Sequence, residues 1–172
     1  MKLLAFLKKN LIEEAAETRK MLATVKDEDF AWQPHPKSMT IARLVSHLAD
    51  IGGWIHMTLT TNELDFAQGF TERPVANVAD ALELFDANVA KSLVELEKAT
   101  EEFLDIPWTM RNGEMIYFTD SKAGVIHMSM GQMIHHRAQL GVFLRLLDVA
   151  IPGPYGPSAD EMALFGLEET EA

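Results

Sequence analysis

Cysteine is missing from the chain altogether. Without it there is no disulfide and no thiolate ligand, so any metal would have to be held by histidine, carboxylate or amide groups. Basic charge is scarce too: 15 Lys and Arg stand against 26 Asp and Glu, a formal net charge of −11. The basic residues are scattered, and a nucleic-acid backbone or an anionic membrane surface needs them concentrated on one face. No apolar run approaches the ~18 residues that cross a bilayer. Met1-Lys-Leu-Leu-Ala-Phe-Leu7 superficially resembles a secretion signal. Its apolar part is short, Lys8 and Lys9 close it, and no small-residue cleavage site follows. A cytoplasmic protein without nucleic-acid or membrane partners is expected. Nor is there a Ser/His/Asp pattern, a phosphate loop or a paired-carboxylate motif.

What the chain does have is helical periodicity. Its 172 residues, 48% hydrophobic and 24% charged, read as one globular domain over 1–172. Leu4, Leu7, Leu11, Ala15, Thr18, Leu22 and Val25 recur at spacings of three and four, which predicts an amphipathic first helix over 3–26. Ser38 or Thr40 caps a second helix over about 40–60, with Ile41, Leu44, Leu48, Ile51 and Ile55 as its apolar stripe. His47 falls at the edge of that stripe, and Arg43, Asp50 and Trp54 share the edge. Gly52-Gly53 inside this helix costs about 1 kcal/mol per glycine, so close approach of a neighbour is expected there.

Residues 62–76 read as an irregular link. A third helix follows over 77–100, capped by Asn77. Asn112-Gly113 marks a tight turn within 101–119, which reads as a short hairpin or an ordered loop, the loop being preferred. The fourth helix runs from about 119 to Asp148, and its first half (Val125, Ile126, Met128, Met130, Met133, Ile134) is apolar on nearly every side. Such a helix is buried in the bundle or in a subunit interface. A turn-rich tail and a short helical segment at Glu161–Phe165 close the chain. Four long amphipathic helices predict an all-α four-helix bundle, with connections long enough for crossovers.

Polar groups on the apolar fourth helix need partners, because burying them unpaired costs several kcal/mol. At about 100° per residue, Gln132 and His136 lie about 40° apart and Gln139 within about 20° of Gln132. An i, i+4 pair of this kind can grip a metal ion if a facing helix supplies a further ligand, and His47 is the best placed. His56 and His127 point elsewhere. Asp50 could orient His47 or pair with Arg43, and His135 could hydrogen-bond backbone or carboxylates. The other reading is a metal-free hydrogen-bond network or a small-molecule pocket.

Ile134-His-His-Arg-Ala-Gln-Leu140, Phe143-Leu-Arg145, the tail Pro154-Tyr-Gly-Pro-Ser-Ala-Asp160 and the stretch Ile41–Leu48 together resemble the DinB/YfiT-like superfamily of metalloenzymes. The resemblance implies a four-helix bundle of up-down-down-up topology, a homodimer, and a nickel or zinc ion held by three histidines. His47 and His136 match two of those ligands. The third position, four residues before His136, is Gln132. Family activities imply a small-molecule or thiol substrate and a thiol S-transferase or hydrolase reaction. The metal would be held by His47, Gln132 and His136, with Asp50, His135 and Gln139 around it. The alternative is a metal-free binding module or a structural dimer whose site decayed at Gln132.

Overall fold

Four long helical segments bury one face each, as their periodicity requires. In the computed structural model, which describes residues 2–164, they are α1 (Leu3–Ala23), α2 (Ile41–Ile51) continued by α3 (Trp54–Thr60), α4 (Val78–Lys98) and α5 (Lys122–Leu146). Leu11, Leu22, Leu44, Leu48, Ile126 and Leu140 are fully buried where these faces meet. Each such leucine or isoleucine is worth about 1.5–3 kcal/mol against exposure. Thr40 and Asn77 cap α2 and α4, accepting from the Arg43 and Asp80 amides at 3.2 and 2.8 Å.

Helix directions follow from cross-helix contacts. α1 and α5 run parallel, since Asn10 meets Met130 and Glu14 meets Arg137. α1 and α4 run antiparallel through Lys8–Glu97 and Arg19–Asp86. Ala49 meets Asn88 and Gly52 meets Ser92, so α2 and α4 are parallel. α1, α2–α3, α4 and α5 therefore run up, down, down, up.

The all-α expectation needs correction. Among the described residues a three-stranded sheet stands alongside the six α-helices, in the order β1 (Glu63–Asp65), β2 (Pro107–Asn112), β3 (Met115–Ser121). β1 pairs parallel with β2, and β2 pairs antiparallel with β3. The 101–119 stretch is thus a hairpin rather than a loop, and the link after α3 contributes a strand. Asp65 joins the two: its Oδ1 accepts from the Gly113 amide at 2.8 Å and from the Ala67 amide at 3.0 Å. Those bonds, the Gly113 one foremost, hold its carboxyl below the usual range. Gly113 sits in the left-handed region at φ 60°, where a side chain would be strained. Leu64, Trp108 and Val125 form a second small core between sheet and α5.

The second helix also differs from expectation, because it breaks at Gly52-Gly53. α4 comes so close that a Cβ on Gly52 would lie 3.2 Å from both Phe85 and Val89. Ser92 takes up the freed backbone groups, donating to the Gly52 carbonyl at 2.7 Å and accepting from the His56 amide at 3.1 Å. The fourth helix ends at Leu146, and α6 (Ala159–Leu164) covers the short C-terminal helix; Phe165 lies outside the described residues. Much of the apolar half of α5 is covered within one chain: Val125, Ile126, Met130 and Met133 are buried, and Met128 and Ile134 half-buried.

Candidate functional site

The buried stripe Ile41, Leu44, Leu48, Ile51 sets the rotation of α2, and that rotation turns His47 toward α5. On α5, Ser121 caps the first turn, accepting from the Gly124 amide at 3.1 Å. Val125, Met133 and Leu140 then seat the helix in the core and place His136 opposite His47. The two imidazole rings lie 4.7 Å apart, centre to centre, at 78°.

Each ring is held by its Nδ1. That of His47 donates to the Glu72 carboxylate, and that of His136 to the Gln139 side-chain oxygen at 2.8 Å. An oxygen acceptor at Nδ1 places the proton there and leaves the lone pair on Nε2. Neither Nε2 bonds a described residue, and neither is sealed from solvent. His136 is only 8% exposed, and burial above all pushes its pKa down, so it is neutral near pH 7.

Beside His47 opens a cavity of about 320 Å³ lined by His47, Ile51, Trp54, Met110, Phe118, Met128 and Gln132. Gln132 thus borders the same space as His47, one turn before His136. His135 is exposed, its ring 4.9 Å from that of His136. Gln139 bonds His136 directly. Asp50 bonds neither His47 nor Arg43; it accepts from the Trp54 indole N–H at 3.1 Å and fixes a cavity wall. Burial foremost raises its pKa, with Glu72 adding to the effect. His56 and His127 stand apart, on α3 and on the exposed side of α5. Glu72 carried no signal in the sequence, since it sits in a link without periodicity. Met110 and Phe118 were hidden with the hairpin that carries them.

Arg137, next along the helix, faces the other way and is 2% exposed. It pairs with Glu14 at 2.8 Å, donates to the Tyr155 hydroxyl at 2.7 Å, and reaches the Glu14 carbonyl and the Thr18 hydroxyl at 3.2 and 3.4 Å. Tyr155 donates onward to Glu14. The tail is fastened a second time by Arg145 and Asp160, and Arg145 foremost holds the Asp160 carboxyl down at about 2.

The DinB family model matches residues 2–171. The chain belongs to the DinB family. It is 28% identical over 171 residues to the uncharacterized protein YrdA of Bacillus subtilis (strain 168), covering 90% of this chain and 89% of that one. Two solved structures share the fold. A DinB-like protein from Bacillus cereus has a TM-score of 0.66 at 16% identity, covering 86% of this chain and 94% of that one. The DinB-like protein YjoA of Bacillus subtilis has a TM-score of 0.68 at 18% identity, covering 86% and 96%. No helix among the described residues is long and apolar enough to cross a membrane.

The donor chemistry fits two positions of a divalent transition-metal site. Two imidazoles, each with Nδ1 held by an oxygen and Nε2 left open, match the way ligating histidines are usually supported. The third position is an amide, and among the described residues no three His, Cys, Asp or Glu side chains group to hold an ion. An amide oxygen is a weaker ligand for nickel or zinc than imidazole, so affinity below that of a three-histidine site is expected.

Proposed function

We propose that this DinB-family chain is a metal-dependent enzyme acting on a small molecule, a hydrolase or a thiol S-transferase, with His47 and His136 as its reaction centre. One observation carries the reading. Two histidines 89 positions apart in sequence meet at 4.7 Å, each oriented through Nδ1 and each with Nε2 unbonded by protein. Ligating histidines are commonly held in this way, through the ring nitrogen that does not meet the ion.

His47, His136 and, more weakly, the Gln132 amide oxygen would hold nickel or zinc. When bound, such an ion polarises a carbonyl or lowers the pKa of a water or thiol. The chain's own groups do the rest. Glu72 and Gln139 hold the rings and fix their tautomers. Burial keeps His136 neutral and so able to donate its lone pair. Asp50 anchors Trp54, and with Met110, Phe118 and Met128 that indole gives the adjoining cavity its apolar wall.

A second reading, a metal-free binding pocket on the same residues, is favoured by the absence of a third strong ligand among the described residues. Elemental analysis of tag-free protein separates the two. Loading with zinc or nickel, then exhaustive dialysis, should leave a substantial fraction of an equivalent, and His47→Ala or His136→Ala should remove it. Wild-type content under about a tenth of an equivalent would leave only the metal-free pocket.

A further inference from the structure

Arg43 is the one arginine whose side chain bonds no carboxylate among the described residues. Arg19 meets Asp86, Arg73 meets Asp80, Arg111 meets Glu63 and Asp65, Arg137 meets Glu14, and Arg145 meets Asp160. In a chain of net charge −11 this exception stands out. Arg43 lies one turn before His47 on α2, about 6 Å along the helix axis, and borders a pocket of about 300 Å³ that shares no lining residue with the cavity beside His47. Ala42, Pro74 and Val75 give this pocket an apolar side, and Ser46 ties that side together, donating to the Ala42 carbonyl at 2.8 Å and accepting from the Val75 amide at 3.1 Å. Thr40, Arg43 and Glu72 supply the polar side. Each has capacity left over. Thr40 accepts from the Arg43 amide, so its hydroxyl hydrogen remains to give. Glu72 spends Oε1 on His47, and Oε2 bonds no described residue.

We propose that this pocket binds a free α-amino acid as its zwitterion. The carboxylate is held by Arg43 and the Thr40 hydroxyl, the ammonium by Glu72, and the side chain rests on Ala42, Pro74 and Val75. A guanidinium takes a carboxylate through paired N–H donors, a contact stronger than one between neutral groups. A simple anion would satisfy Arg43 but meet the charge of Glu72. A simple amine would satisfy Glu72 but meet the charge of Arg43. A molecule that carries both signs gains at both ends and is opposed at neither. At about 300 Å³ the space is at the small end of ligand pockets, which suits one amino acid rather than a peptide. Binding here needs no metal ion, so the proposal goes beyond the reading of His47 and His136 and does not rest on it. The two sites meet at Glu72, since the carboxylate that would hold the ammonium also holds the His47 ring.

The test titrates three matched probes into EDTA-treated protein: L-norvaline, valerate, which lacks its amino group, and butylamine, which lacks its carboxylate. Binding is read from the Val75 methyl resonances and from the Arg43 Nε–H resonance. Norvaline should move both and bind at least about tenfold more tightly than either analogue, the size of one charged hydrogen-bonded contact. Arg43→Gln, a change at an exposed side chain, should weaken norvaline about tenfold, to the level of butylamine. Arg43→Lys, which keeps the charge and loses the paired donors, should restore part of that loss. Glu72→Gln should abolish the advantage of norvaline over valerate. No shift of either signal with norvaline at about 50 mM would overturn the proposal and leave Arg43 a solvated side chain. Valerate or butylamine binding as tightly as norvaline would overturn it too, as would unchanged norvaline binding in Arg43→Gln. Zinc uptake is measured on parallel samples without EDTA. Uptake without norvaline binding leaves the metal centre and removes this pocket; norvaline binding without uptake does the opposite.

Discussion

His136 and Arg137 are neighbours on one buried helix, yet their surroundings differ in kind. Arg137 is held by protein through both terminal nitrogens, with Glu14, Thr18 and Tyr155 as acceptors. His136 has one nitrogen held by Gln139 and the other left open beside His47. Burial alone therefore does not mark function in this helix. The difference lies in what remains unbonded once the protein's own partners are counted. The charge-paired group ties α5 to α1 and the tail, and the open nitrogen is available to a ligand.

The comparison breaks most visibly at Arg137. Arg137→Met leaves Glu14, itself 7% exposed, without its cation. Removing one partner of a buried pair costs about 3–5 kcal/mol. Thermal unfolding should shift down by roughly ten degrees, while metal per folded molecule stays unchanged. His136→Ala should do the reverse, with a smaller loss of stability and loss of metal. If both variants lost metal equally, the two faces of the helix would not be separable.

Next in size is Gln132→His, which replaces the weak donor by an imidazole on the turn before His136. Retained zinc should rise toward one equivalent, measured after the same dialysis. No gain would mean that position 132 and the two histidines do not converge on one ion.

The smallest effect is expected at Asp50. Its folded pKa lies above the ordinary value of 3.8 because burial opposes the charge. The folded state thus favours the protonated form more than the unfolded chain does. Its contribution is present below that ordinary value and is lost as pH rises through the folded pKa. Asp50→Asn keeps an oxygen for the Trp54 N–H and removes the buried charge. Its melting temperature should exceed that of the wild type at neutral pH and converge with it in acid. A lower melting temperature at pH 7 would show that the carboxylate is needed as a charge.

The four helical segments were legible because leucine and isoleucine recur at spacings of three and four over many turns. The same spacing put His47 at a stripe edge and His136 on a polar strip, and the structure brings these two together. The sheet was not legible. β1 is three residues long, and β3 exposes Met115, Ile116 and Tyr117, so neither shows the alternation that marks a half-buried strand. The break at Gly52-Gly53 was visible only as a propensity cost, since its compensation, Ser92 and Phe85, comes from a distant helix. Glu72 was hidden for the same reason. Its role depends on where an aperiodic link passes; spacing offered Asp50 to His47 or to Arg43, and Asp50 bonds Trp54 instead.

The central claim is that two oriented imidazoles share an open site. Nitrogen-15 spectra of the histidine rings, recorded during a zinc titration at neutral pH, test it most directly. His47 and His136 should both carry their proton on Nδ1, and zinc should move both Nε2 signals together while His127 stays still. A proton on Nε2 of either ring, or Nε2 signals that do not respond to zinc, would contradict it.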